Sequence, residues 1–123
     1  HKVLKRKSII FLLSDFWDNS FYQSMKRINK KHDLINIQIL DDSERIIPNI
    51  GLIKMHDAEN QNTTWIDTSN NRNREKISAL ILSKENHIHT FCKRNKIDII
   101  SINTRSGYVD PLVHFFNSRL RRH

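Results

Sequence analysis

The sequence predicts an α/β fold in three layers, a parallel sheet held between helices. Three observations carry this. Ser8–Leu13 (SIIFLL), Leu34–Leu40 (LINIQIL) and Asp98–Ile102 (DIISI) are short, nearly continuous runs of β-branched and large apolar residues, the pattern of strands covered on both faces. Apolar residues between and after them recur every three or four positions, as on helices with one buried face. Finally, strand and helix alternate along the chain, the order in which crossover helices join parallel strands.

The elements follow in turn. After SIIFLL, one of Asp18, Asn19 or Ser20 is placed to cap a helix, since short polar side chains accept hydrogen bonds from the first turn's amides. Phe21, Met25 and Ile28 form its apolar stripe, and Lys26, Arg27, Lys30 and Lys31 face outward mostly. A cationic last turn suits the negative end of a helix dipole. LINIQIL then completes a strand–helix–strand unit, right-handed by strong preference.

Gly51–Asp57 (GLIKMHD) and Thr63–Asp67 (TTWID) alternate in polarity around the turn-rich AENQN, which predicts a β-hairpin over about 51–67, standing off the main sheet. A long helix runs from about Asn71 to Asn95, apolar at Ile77, Leu80, Ile81, Ile88, Phe91 and Cys92. DIISI is the third parallel strand. The last helix carries Val109, Leu112, Val113, Phe116 and Leu120, with Asp110 as cap and Pro111 in the first turn, where proline's missing N–H costs nothing. Consecutive units set their strands side by side, so the three strands are expected in sequence order.

Composition narrows the function classes. A chain of 123 residues makes one domain at most, and 37% apolar residues suffice for one core. The single Cys92 forms no internal disulfide, so no oxidising compartment is called for and the cytoplasm is the expected location. No apolar run approaches the ~20 residues of a membrane span, the basic-then-apolar start lacks a small-residue cleavage site, and no membrane partner is expected. With two Gly and two Pro, there is no flexible linker and no Gly-rich phosphate loop. The net charge is +8, with basic clusters at KVLKRK, KRINKKHD and SRLRRH, a balance that favours anionic partners. No aromatic residue is interleaved with them for base stacking. They are therefore read as solvated helix faces and a terminal tail, with nucleic acid an unfavoured partner.

In open parallel sheets, ligands bind beyond the carboxyl ends of the strands. Those ends offer Ser14, Asp15 and Asp18 after the first strand, Asp41 and Asp42 after the second, and Asn103, Thr104 and Ser106 after the third. Hard oxygen donors of this kind suit Mg²⁺ or Ca²⁺. The same residues also cap helices and terminate strands, and both meanings stay open. His87, His89 and Cys92 (HIHTFC) are a poor zinc set, because helical residues two apart point to different sides and Cys92 lies on the apolar stripe. No Ser stands in a G-x-S-x-G elbow.

The stretches SIIFLLSDFWD, KRINKKHDLINIQILDDSE, IPNIGLIKMHDAEN, TTWIDTS and YVDPLVHFF occur in that order. Together they resemble the C-terminal half of the bacterial domain-of-unknown-function fifty-eight family, whose members are similar to von Willebrand factor A domains and are commonly encoded beside MoxR-type AAA+ ATPases. The resemblance implies a doubly wound parallel sheet of von Willebrand A type, here a partial domain with an inserted hairpin. It also implies a metal-ion-dependent adhesion site, in which a D-x-S-x-S loop, a threonine loop and an aspartate after the fourth strand hold a divalent cation. Asp15 matches that aspartate, with Ser14, Asp18 and Asp41 as possible accessories at the same edge. No D-x-S-x-S occurs in the chain, so the resemblance leaves the other ligands outside it.

The expectation is a non-catalytic protein-interaction module, metal-dependent when complete, with a MoxR-type ATPase as partner and no tightly bound cofactor of its own. Left without an inner neighbour, the Ser8–Leu13 strand is expected to join a second copy edge to edge as a homodimer. The alternatives are a Mg²⁺-dependent phosphotransfer or nuclease site built from Asp15, Asp18, Asp41 and Asp42, and a basic nucleic-acid-binding domain.

Overall fold

The computed structural model describes residues 4–16, 20–42, 46–56 and 61–122. Its elements are β1 (Ile9–Ser14), α1 (Tyr22–Lys31), β2 (Asp33–Leu40), β3 (Leu52–His56), β4 (Thr63–Asp67), α2 (Asn71–Arg94), β5 (Asp98–Asn103) and α3 (Val109–Arg122). The protein is mixed α/β. It divides into a sheet unit, residues 1–42 and 84–123, and a hairpin unit, residues 43–83, with α2 contributing to both.

In the sheet unit the strand order is β1-β2-β5, all parallel, as the sequence predicts. Ile9 pairs with Asp33 and Ser14 with Gln38, while Ile35 pairs with Asp98 and Leu40 with Asn103. β2 is buried along most of its length because it has neighbours on both sides and helices above and below. On one face Met25 of α1 and Ile88 and Cys92 of α2 form a cluster with Phe16, Leu34 and Ile97. On the other, Ile35, Ile37, Ile100 and Ile102 pack against Leu112 and Phe115 of α3.

Several expectations are corrected here. The SIIFLL run is not covered on both faces. Ile10 and Leu12 pack inward, whereas Ile9, Phe11 and Leu13 are exposed, because β1 is the outer strand and α3 lies over β2 and β5. For the same reason Val109, Val113, Phe116 and Leu120 are exposed and only Leu112 and Phe115 seal the core. The edge of Phe116 meets Phe11, ring centroids 6.2 Å apart. α3 starts at Val109, so Asp110 lies within the first turn rather than at the cap. In α1 the cap position is Phe21, which makes no side-chain capping bond and is exposed. Tyr22 takes its place against the core, stacked on Phe91 at 4.2 Å. Of the proposed caps, Asp18 and Asn19 lie outside the described residues and Ser20 is not the cap. Leu80 of α2 is exposed as well.

The hairpin unit pairs β3 and β4 antiparallel, Leu52 opposite Asp67 and His56 opposite Thr63, in a sheet of its own. Of the stretch AENQN read as its turn, residues 58–60 lie outside the described residues. At its base the fully buried Thr68 donates its hydroxyl to the Gly51 carbonyl (2.6 Å) and accepts the Ile50 N–H (3.0 Å). Gly51 adopts φ +79° there, a conformation that a side chain would strain. Asn70 caps α2 through its side-chain oxygen, which accepts the Arg72 N–H at 2.9 Å.

Candidate functional site

Parallel strands end at the same edge of a sheet, so the topology brings the ends of β1, β2 and β5 together as the sequence reading requires. At the end of β1, the Ser14 hydroxyl oxygen accepts the Phe16 N–H at 3.1 Å. Phe16 turns into the left-handed region, φ 56°, which is uncommon for a bulky residue, and its ring is buried in the α1–α2 core. An anchored hydroxyl and an anchored ring thus flank Asp15, which is exposed between them. This is why an apolar strand delivers a carboxylate at its tip: Phe16 continues the core after the strand has stopped.

Asp41 and Asp42 follow β2, both half-buried. The ladder persists past β5, where the Thr104 N–H donates to the Leu40 carbonyl at 3.0 Å, and the Asn103 side chain accepts the Arg105 N–H at 3.0 Å. Since Ser14 is level with Gln38, Asp41 lies two residues beyond Asp15 along the strand direction, roughly 7 Å by strand rise. Asp18 lies outside the described residues. Among the described residues no three His, Cys, Asp or Glu side chains stand together as a metal-holding group. Mg²⁺ and Ca²⁺ take six or more oxygens, water among them. Asp15 lies exposed at this edge.

A second polar group lies inside the sheet unit, and the sequence reading missed it. Gln38 of β2 is buried and stands level with Ser101 of β5, beneath His89 of α2. His89 Nε2 lies 2.7 Å from Gln38 Oε1 and 2.8 Å from Ser101 Oγ. The Ser101 hydroxyl donates to Gln38 Oε1 at 2.9 Å. A serine within reach of a histidine suggests a nucleophile and its base, but Gln38 decides otherwise. Its Nε2 donates to the Glu85 carbonyl at 3.0 Å, so its oxygen must be the atom facing His89. An amide oxygen only accepts, hence His89 Nε2 carries the hydrogen and cannot take one from Ser101. Burial lowers the His89 pKa, which keeps the ring neutral. The trio is a structural lock.

One turn further along α2, the thiol of Cys92 is fully buried, and burial raises its pKa despite a hydrogen bond from the Asn36 amide at 3.2 Å. A thiol held protonated is a poor nucleophile. The signal for both polar groups was in the sequence: Asn36 and Gln38 share one parity within LINIQIL and so point to one face.

No curated protein and no solved structure matches the chain. One family profile does, that described as Protein of unknown function DUF58, over residues 1–87. The span takes in β1, α1, β2, the hairpin and more than half of α2, and with it the Ser14–Asp15 and Asp41 strand ends. With more than half of its length matched, the chain belongs to the DUF58 family.

Proposed function

We propose that this chain is a non-catalytic protein-interaction module, the C-terminal half of a von Willebrand A-like domain. In the complete domain Asp15 would be one ligand of a Mg²⁺ or Ca²⁺ adhesion site, and the partner would be a MoxR-type AAA+ ATPase in the cytoplasm. The parallel sheet, with Asp15 held at its carboxyl edge by Ser14 and Phe16, supports the assignment to this fold type. The locked tautomer of His89 and the buried thiol of Cys92 speak against a catalytic use of the interior.

The observation that carries an interaction role is the outer edge of β1. Among the described residues no strand pairs with it, and Ile9, Phe11 and Leu13 present an apolar face beside it. A flat apolar edge without Pro or inward charge is a template for another strand. The chain alone joins a second copy there, Ser8–Leu13 antiparallel to its counterpart about a two-fold axis. Sedimentation at micromolar concentration tests this: a dimer is expected, and Phe11→Lys should give a monomer. A monomeric wild type that Phe11→Lys leaves unchanged would overturn it.

Calorimetry with millimolar Mg²⁺ or Ca²⁺ should show weak binding or none for this chain, because one carboxylate and water hold these ions poorly. Tight stoichiometric binding lost in Asp15→Ala would favour the enzymatic alternative.

A further inference from the structure

Basic stretches far apart in the sequence converge on one pole of the sheet unit, and we propose that this pole docks on an anionic membrane surface. The parallel strands all begin at one edge, and α1, α2 and α3 each run back along the sheet to end there. Contacts fix the meeting. The Ser8 N–H, just before β1, donates to His32 Nδ1, just after α1, at 3.3 Å. The Ile97 N–H, just before β5, donates to the Cys92 carbonyl in the last turn of α2 at 2.9 Å. Arg119, in the last turn of α3, binds Asp33 at the start of β2 and lies 3.7 Å from Asp98 at the start of β5.

Segments 5–7, 30–31, 93–96 and 119–122 are thereby gathered at this edge. They hold eleven of the chain's 21 Lys and Arg. The carboxylates placed there by the strand starts, Asp33 and Asp98, are already engaged by Arg119 and Arg122. Cations do favour helix C-termini, but each terminus carries only about half a negative charge. Three helix ends account for one or two of the eleven. The excess forms a single positive surface, whereas Asp15, Asp41, Asp42 and Asp110 lie at the opposite edge. Read one cluster at a time, the sequence gives solvated helix faces; joined by the topology, the clusters make a patch.

Lipid is favoured over nucleic acid by what stands among the cations. Leu120, within the basic segments, is 75% exposed, and Leu4, next to the first of them, is 49% exposed; no aromatic residue occurs in the segments. Short apolar side chains ringed by Lys and Arg suit the headgroup boundary of a bilayer. A single-strand binder needs rings on which bases stack.

The test is co-sedimentation of the whole chain with vesicles of phosphatidylcholine, alone and mixed with phosphatidylserine, beside binding to single- and double-stranded DNA. We expect capture by the phosphatidylserine vesicles only, weakening steeply with salt. Each cation near such a surface contributes roughly fivefold in affinity, so the triple variant Lys5→Glu, Lys7→Glu, Arg121→Glu, which reverses three charges, should lose at least about a hundredfold. Lys54→Glu with Lys76→Glu, in the hairpin unit, should lose far less, and Leu4→Ser with Leu120→Ser should weaken vesicle binding without changing the melting temperature. No capture by phosphatidylserine vesicles overturns the proposal. So does an equal loss in the hairpin variant, or tighter DNA binding that the leucine changes leave intact.

Discussion

The two faces of the sheet are built on opposite plans. Towards α3 the buried strand residues are aliphatic: Ile35, Ile37, Ile100 and Ile102. Towards α1 and α2 the same strands bury Asn36 and Gln38 and tuck Ser101 under His89. An aliphatic surface can be left half covered at modest cost, and on this face β1 is left so. A polar interior has no such freedom, because each buried donor or acceptor needs its own partner. Gln38 reaches Ser101 and His89 only when β2 and β5 are in the observed register. A slip of one residue would swing every side chain to the other face, setting amides among the isoleucines. The α3 face supplies adhesion, and the α2 face supplies the choice of register.

That contrast can be broken at several points. The largest effect is expected from Ile35→Ala, since Ile35 is fully buried on the aliphatic face and such truncations cost about 2–5 kcal/mol. Urea denaturation measures it, and a loss below ~1 kcal/mol would mean that α3 packs loosely. Gln38→Leu should come next, at about 1–3 kcal/mol, because shape is kept while His89 and Ser101 lose their shared acceptor. A cost near zero would show that water replaces the amide.

A smaller effect distinguishes the faces by pH. Burial lowers the His89 pKa from its ordinary 6.5, so below 6.5 the unfolded chain binds a proton more readily than the folded one. Stability from this group is full above pH 6.5 and is lost as pH falls from there towards the lowered folded value. His89→Gln should flatten this part of the stability curve, and an unchanged slope would place the proton uptake elsewhere. The smallest effect is expected at Asn36, where, among the described residues, the buried side-chain oxygen has no hydrogen-bond partner and the amide nitrogen meets the sulfurs of Met25 and Cys92 at 3.2 Å. Asn36→Leu should leave stability within about 0.5 kcal/mol or raise it, as when a poorly satisfied polar group gives way to an apolar one of like shape. A clear loss would assign Asn36 to the register lock with Gln38.

Much of this architecture was legible in the sequence because it is local. Continuous β-branched runs mark β1, β2 and β5, alternation marks the hairpin, and α2 ends within a residue of its expected limit. The carboxyl edge that collects Ser14, Asp15 and Asp41 follows from parallel order alone. What failed depends on position in the sheet. Nothing within SIIFLL reveals that β1 lies outermost and that Ile9, Phe11 and Leu13 are uncovered. The stripe of α3 misled for the same reason, its outer residues having no layer to face. The Gln38–Ser101 pair joins strands 63 positions apart, beyond any periodicity. The basic pole needed only one further step, the recognition that three helices, each antiparallel to the strands, end together.

The place of β5 bears on the order in which the chain folds. β2 finds its first neighbour across the short span from Ser14 to Asp33, but its second only across the span from Leu40 to Asp98, about three times as long, which adds roughly 1 kcal/mol of closure entropy. During synthesis, β1, α1 and β2 emerge well before β5 and α3. For that interval Gln38 waits without Ser101 and His89, and Ile35 and Ile37 wait without α3. The late arrival of one strand makes the nascent sheet two-sided and sticky, and its closure is the step at which a slow phase of folding belongs.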